Sequence, residues 1–348
     1  MTRHRLFWPA ALLLALLLSN LAFSGVSFFS VDVRDGHLYG SVIDILRLAA
    51  PLILVALGMT LVIATGGIDL SVGSVAAISG ALACSRISGL TDQDAVAGVL
   101  LAAVLAVGLA LLLGGANGLL VAGFGVQPIV ATLILLVAGR GLAQLITEGQ
   151  IITVTSGPFK LIGAGYRLTV PFSIVLALAV VALVALLVRR SALGLLVAAV
   201  GGNAEASRLA GVRSRRIVWS VYAVSGLCAG IAGLMIASNT SGADGNNAGQ
   251  FIELDAILAV VIGGTLLTGG RFSIAGTVLG ALLIQTLTTT IYSSGIPIRA
   301  SLLVKALVVI VVCLVQSPAF RARVFRRRRT PPAPAAPAAR AADVEVPA

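Results

Sequence analysis

Charged residues are scarce: Asp, Glu, Lys and Arg make up 11% of the 348 residues, against about 25% in a soluble domain. That argues against a water-soluble enzyme. A disordered chain is excluded too, because 58% of the residues are hydrophobic and the mean hydropathy is +1.07. There are only three cysteines, Cys84, Cys228 and Cys313, scattered through apolar runs without paired spacing. They give no disulfide framework and no zinc pattern, and read as buried, inert thiols. Histidine occurs twice, as His4 and His37, and no Gly-x-Ser-x-Gly elbow, His-Glu-x-x-His or ligand cluster is present. The two lysines, Lys160 and Lys305, lie in no Gly-x-x-x-x-Gly-Lys-Ser/Thr, so the chain has no P-loop. If ATP drives it, another chain binds the nucleotide.

What the chain has is long apolar runs. Crossing the hydrocarbon core takes about 20 mostly apolar residues. That criterion gives an all-α polytopic membrane protein with ten spans: Leu6–Phe23, Val42–Ala64, Ile68–Ser85, Ala95–Ala116, Pro128–Ile146, Pro171–Val188, Ile217–Ala237, Asp255–Thr268, Phe272–Thr290 and Ser301–Gln316. The eighth is short and reads as a half-helix or as a piece joined to its neighbour. The first follows Arg3 and Arg5 and could be a secretory signal, but its length favours a retained anchor.

The net charge of +11 comes from arginines clustered at Arg189–Arg190, Arg208–Arg216 and Arg321–Arg329, each beside an apolar run. That is the pattern of cytoplasmic loops and not of a nucleic-acid groove. With both termini cytoplasmic, fifteen basic residues lie inside and five outside, which satisfies the positive-inside rule. Residues 1–329 thus form the membrane domain. The Pro/Ala-rich stretch from Thr330 to Ala348 reads as a disordered cytoplasmic tail, and the basic run before it as resting on anionic lipid headgroups. The 39 glycines suit close helix approach in lipid, and Gly114–Gly118, Gly226–Gly230 and Gly276–Gly280 have small-xxx-small spacing, read first as packing within one subunit.

Polar groups inside the spans mark candidate function. In Thr65-Gly66-Gly67-Ile68-Asp69-Leu70-Ser71-Val72-Gly73-Ser74, two glycines interrupt the apolar run and Asp69 opens the next. Asp69 is expected to cap the new helix, to sit at a gate beside the transport path, or both. Asp69, Ser71 and Ser74 are therefore path candidates. The fifth span carries Thr132, Arg140, Gln144 and, at its end, Glu148, whose spacings put them on one helix face. That face should point inward, although Arg140 is near enough to the outer end to snorkel. Asp44 and Arg47 should pair at i, i+3, and Lys305 should snorkel outward. The polar external segment from Ser238 to Gln250, followed by Glu253 and Asp255, is dense in amides and carboxylates of the kind that bind sugars, and adds Asn246 and Asn247 as path candidates. The cytoplasmic segment 189–216 contains a short amphipathic helix between Gly202 and Gly211, a docking element or an interfacial helix on headgroups.

The run from Gly58 through Asp69 to Ser74 resembles the signature of the ribose-type ABC sugar importer permeases. The stretch from Gly202-Asn203 to Ala210-Gly211-Val212 is similar to that family's loop contacting the ATPase. Asp255 to Gly264 with Gly269-Gly270-Arg271-Phe272 also fits, and the likeness extends from about residue 35 to 317. Within the family, the runs Ala131–Gly141, Ala143–Thr147 and Gly242–Gly249 look closest to a galactofuranose importer permease. The resemblance implies an inner-membrane permease subunit of a bacterial ABC importer, without catalytic residues or a bound cofactor. ATP would sit on a cytoplasmic ATPase docked at Gly202, Asn203, Glu205, Ala206, Arg208 and Gly211. A periplasmic binding protein would deliver the sugar, and a second permease subunit would complete a homo- or heterodimer. The competing readings are an ion-coupled secondary sugar carrier, with Asp69, Glu253 or Asp255 as coupling carboxylate, and a membrane scaffold that transports nothing.

Overall fold

The computed structural model describes residues 3–34, 36–167, 169–295 and 297–316. The expected tail and the cluster Arg321–Arg329 lie outside these. Among the described residues thirteen α-helices follow in order: α1 (Arg3–Ser24), α2 (Ser41–Ala64), α3 (Val72–Ser88), α4 (Val96–Ala122), α5 (Pro128–Ile146), α6 (Gly157–Gly163), α7 (Phe172–Arg190), α8 (Leu193–Gly202), α9 (Ala204–Leu209), α10 (Ser214–Asn239), α11 (Ile252–Ile262), α12 (Ile274–Ser293) and α13 (Ile298–Gln316). Among the described residues six of them, α2, α4, α5, α7, α10 and α12, are long and apolar enough to cross a membrane.

The chain is not purely helical. Three short antiparallel ladders lie at one end of the bundle: β1 (Asp32–Arg34) with β2 (His37–Tyr39), β3 (Ile151–Thr153) with β6 (Gly242–Asp244), and β4 (Tyr166–Arg167) with β5 (Val170–Pro171). They pair backbone groups of connecting segments that lack a helical partner. The β3–β6 ladder, registered Ile151 to Asp244 and Thr153 to Gly242, ties the segment after α5 to the segment after α10. The opposite end carries Arg189, Arg190, Arg208, Arg213, Arg215, Arg216 and Arg271, and there the Gly270 N–H donates to the Ala64 carbonyl at 2.9 Å.

Two helices form the centre. About three-quarters of the apolar stretches of α2 and α10 are buried (78% and 72%), while α4, α5 and α7 bury 22%, 22% and 17% of theirs and turn the rest outward. Apolar side chains facing lipid cost nothing, so the packing between helices is set by small residues that let backbones meet. Gly114 and Gly118 of α4 lie on the backbone of α10 at Tyr222, Gly226 and Trp219, and Gly276 and Gly280 of α12 lie on Gly263 and Ala259 of α11. All three small-xxx-small stripes are thus used inside the chain.

The eighth expected span is the short α11, which starts at Ile252, three residues before Asp255, and stops at Ile262. Its 11 residues rise only about 16 Å, half the hydrocarbon thickness. The third span also shortens, because residues 68–71 are non-helical and α3 begins at Val72.

Candidate translocation site

Both interruptions place a helix N-terminus inside the bundle. The chain leaves α2 at Ala64, turns at Gly66 (φ +83°), and runs non-helically to α3. It also returns from the hairpin end after α10 and enters α11 through Gly249 and Phe251, both at φ +64°. Phe251 is a non-glycine residue in the left-handed region, a strained geometry that aims the first turn of α11 at α3. The two starts touch: a Cβ on Gly73 would overlap the Glu253 carboxylate and stand 2.7 Å from the Gly249 carbonyl oxygen.

Asp69 sits at the first break, 1% exposed. Its Oδ1 accepts from the Ser71 N–H at 3.1 Å and the Ser71 hydroxyl at 2.6 Å, and its Oδ2 accepts from the Ser225 hydroxyl of α10 at 2.8 Å. Asn117 of α4 donates from Nδ2 to the Ser71 hydroxyl at 2.8 Å. Asp69 therefore closes a fully bonded network joining α3, α4 and α10, but it does not cap α3: the N-cap residue is Ser71, and Asp69 accepts that residue's own N–H and none from within the helix. Ser74 donates to the carbonyls of Ser71 (2.8 Å) and Leu135 (3.1 Å), and Thr132 to those of Pro128 (3.0 Å) and Ile68 (3.3 Å). These four candidates lie together at the α3–α5 contact.

Of the other four, Arg140 and Gln144 lie about 12 and 18 Å further along α5, and Asn246 and Asn247 lie in the segment between β6 and α11 that meets them. Arg140 donates to the Ala248 carbonyl at 2.7 Å, and Gln144 to the Asn246 side chain at 2.5 Å. Arg140 thus holds the segment entering α11 and does not snorkel. Asn247 donates to Asp244 at 2.7 Å, and the backbone N–H of Asn246 does so at 2.8 Å. Partial burial pushes the Asp244 carboxyl up, but these hydrogen bonds outweigh it and hold the group below its usual range.

Two expectations fail here. Glu148 does not share the polar face, because α5 ends at Ile146 and Glu148 adopts φ +52°, exposed. Lys305 does not snorkel: it pairs with Asp255 at 2.5 Å, the two side chains 16% and 25% exposed. Asp44 and Arg47 do pair, at 3.2 Å.

At the arginine-rich end the amphipathic segment is the helix α9. The Asn203 side chain caps it by accepting from the Ala206 N–H at 2.9 Å, and Gly211 (φ +85°) ends the turn beyond it. Glu205 and Arg208 form a two-pronged pair at 2.6 and 3.0 Å. The hydrogen bond from Arg208 lowers the Glu205 carboxyl below its usual value, and Glu205 raises the guanidinium in turn. A cavity of about 220 Å³ joins Ala204 of α9 to Thr65, Gly66, Gly67 and Tyr222, so α9 abuts the first break.

Sequence reasoning passed over Asn117, Ser225 and Tyr222, and took Glu253 both as part of the sugar-suited external segment and as an ion-coupling carboxylate. A polar residue inside an apolar span was the available signal for each.

A many-helix membrane chain in which two shortened helices meet at their N-termini inside the bundle has the architecture of a transport subunit. The family model described as branched-chain amino acid transport system / permease component matches residues 41–313. The galactofuranose transporter permease YtfT of Escherichia coli (strain K12) is 51% identical over 324 residues, covering 91% of this chain and 93% of that protein. The fructose import permease FruF of Bifidobacterium longum (strain NCC 2705) is 42% identical, covering 87% and 89%. The ribose import permease RbsC of Haemophilus influenzae (strain ATCC 51907 / DSM 11121 / KW20 / Rd) is 37% identical, covering 86% and 90%. No solved structure matches. The chain belongs to the ribose-type family of ABC sugar importer permeases and is a multi-pass inner-membrane protein.

Proposed function

We propose that the chain carries a monosaccharide inward as the permease subunit of an ATP-driven importer, with galactofuranose, or a related hexose or pentose, as the sugar. The 51% identity to a galactofuranose permease, nearly end to end, is the observation that carries this reading. In it the bundle has ten spans, of which α11 is a half-helix, both termini are cytoplasmic, and residues 1–329 form the transport domain. A periplasmic binding protein docks at the hairpin end, and a cytoplasmic ATPase, which holds the ATP, docks on the segment 189–216. A second permease subunit, the same or a similar chain, completes the path, and α5 suits its lining because much of its surface is uncovered.

Coupling then runs from α9 to the first break. Closure of the ATPase pushes on Gly202, Asn203, Glu205, Ala206, Arg208 and Gly211, and the shared cavity puts Ala204 beside Thr65–Gly67. Asp69, Ser71, Ser74 and Thr132 move with that hinge, while Arg140, Gln144, Asn246 and Asn247 hold the outer segment. The ion-coupled carrier is less well supported: the relatives are importer permeases, and of its three carboxylates Asp69 and Asp255 are already engaged by Ser71, Ser225 and Lys305, which leaves only Glu253. ATP-dependent uptake of galactose, fructose and ribose by the co-purified complex in liposomes tests the proposal. Uptake by the purified chain alone, collapsing with an ion gradient, would replace it with the carrier.

A further inference from the structure

The junction of α3 and α11 contains a polar atom with nothing to do. Glu253 is 7% exposed, and among the described residues its Oε2 has no hydrogen-bond partner. A buried acceptor left unbonded costs about 1–3 kcal/mol. This one is not at a frayed edge: the carboxyl lies against the α carbon of Gly73, in the first turn of α3, and itself belongs to the first turn of α11. The Gly249 carbonyl oxygen faces the same glycine. Arg140, hydrogen-bonded to the Ala248 carbonyl, and Asp255, held by Lys305, are the charged groups nearby.

Resting on the importer reading, we propose that this junction is the sugar's station within the membrane, and that Glu253 Oε2 accepts a hydrogen bond from one sugar hydroxyl there. Three features point to a hydroxyl. The junction offers acceptors, which a polyhydroxylated ligand satisfies. Among the described residues no three His, Cys, Asp or Glu side chains gather to hold a metal ion. The residue opposite is glycine, so the carboxyl can meet α3 directly when the path is shut and be freed when α3 and α11 part. In the present conformation the station is closed, and Glu253 waits against Gly73 for the group that replaces it.

The assay uses the complete importer in liposomes, with D-galactose and its monodeoxy analogues as probes and binding-protein affinity measured separately for each. Wild type should carry one analogue at least about ten-fold more slowly than binding-protein affinity accounts for. Glu253→Gln should slow the parent sugar about ten-fold or more, and should erase the difference between the parent and that one analogue. If Glu253→Gln fails to accumulate, Gly73→Ala, whose methyl group displaces the same carboxyl, is read in the same way. Parent-sugar uptake at the wild-type rate, or an equal slowing of every analogue, overturns the station. So does uptake driven by a proton gradient without ATP and lost in Glu253→Gln, which would make the group a coupling carboxylate. A wild-type complex that imports none of the sugars tested above sinks the importer reading itself and is seen before any variant is made.

Discussion

The chain breaks a helix twice, and the two breaks treat their carboxylates in opposite ways. At the α2–α3 break Asp69 is 1% exposed and bonded through both oxygens, to its own helix start and to α10. At the α10–α11 break Glu253 is 7% exposed with one oxygen unbonded. Each is a carboxyl near a helix N-terminus, where the free N–H groups favour negative charge. Position alone therefore does not separate them. Satisfaction does: a fully bonded buried group specifies one packing, whereas an unbonded one has a partner still to find. On the proposal above, the first break is a joint and the second a seat.

The largest effect should come from removing the joint. Asp69→Ala leaves the Ser71 N–H and two hydroxyls without an acceptor inside a membrane bundle, at a cost of about 3 kcal/mol or more. Protein level in the membrane and the unfolding midpoint in detergent should both fall sharply. Asp69→Asn keeps one acceptor oxygen and should fall about half as far. Glu253→Gln loses no hydrogen bond at Oε2 and should leave the midpoint unchanged. Equal losses for Asp69→Asn and Glu253→Gln would erase the distinction between the breaks.

A second, smaller effect concerns what holds α11 in place. Lys305 and Asp255 pair at 2.5 Å with little exposure, so Lys305→Met strands a carboxylate at the start of α11 and should cost about 2 kcal/mol in the same melt. The double variant Lys305→Met with Asp255→Leu should recover much of that, because replacing both partners removes the stranded charge. Failure to recover would mean that the pair positions α11 in some further way.

The difference between the breaks also explains what the sequence could reveal. The interruption at Thr65–Asp69 was legible because two glycines and an aspartate stand out against an apolar run, and the apolar runs themselves marked the long helices. The start of α11 was misplaced by three residues because the left-handed turn at Phe251 has no glycine to announce it. Lys305 was read from position alone as a snorkelling residue, since its partner is 50 residues away and only packing brings Asp255 to it. The same holds for Asn117 and Ser225, which reach the Asp69 cluster from other helices. Local pattern gave the elements. Which polar groups share a cluster is a property of tertiary contact, and in a membrane no apolar periodicity separates a face turned to another helix from one turned to lipid.

The junction can be wedged without altering either carboxylate. Gly73→Ala puts a methyl group where the Glu253 carboxyl and the Gly249 carbonyl now lie. Overpacking of this kind costs about 1–2 kcal/mol, but its effect on uptake should be larger than on the melt, because it strikes the moving contact and not the joint. Gly141→Ala on α5 is the control, since a methyl group there meets nothing within 4 Å in the chain. If Gly141→Ala blocks transport as strongly, α5 contacts another subunit at that point.

The smallest effect on stability should come from the most open of these pairs, on α9. Glu205 and Arg208 are 66% and 62% exposed, and a pair so open to water adds little to folding. Since the Glu205 carboxyl is held below its usual value, what the pair does contribute is present above the ordinary carboxylate range and lost as pH falls through that lowered value. Near neutral pH, Glu205→Ala and Arg208→Ala should therefore insert and melt like the parent. In the reconstituted complex they should let the ATPase run while sugar uptake drops several-fold, because the push on Thr65–Gly67 passes through α9. Coupled uptake at the parental rate in both variants would remove these side chains from the coupling surface and leave the backbone contacts of α8 and α9 to carry it.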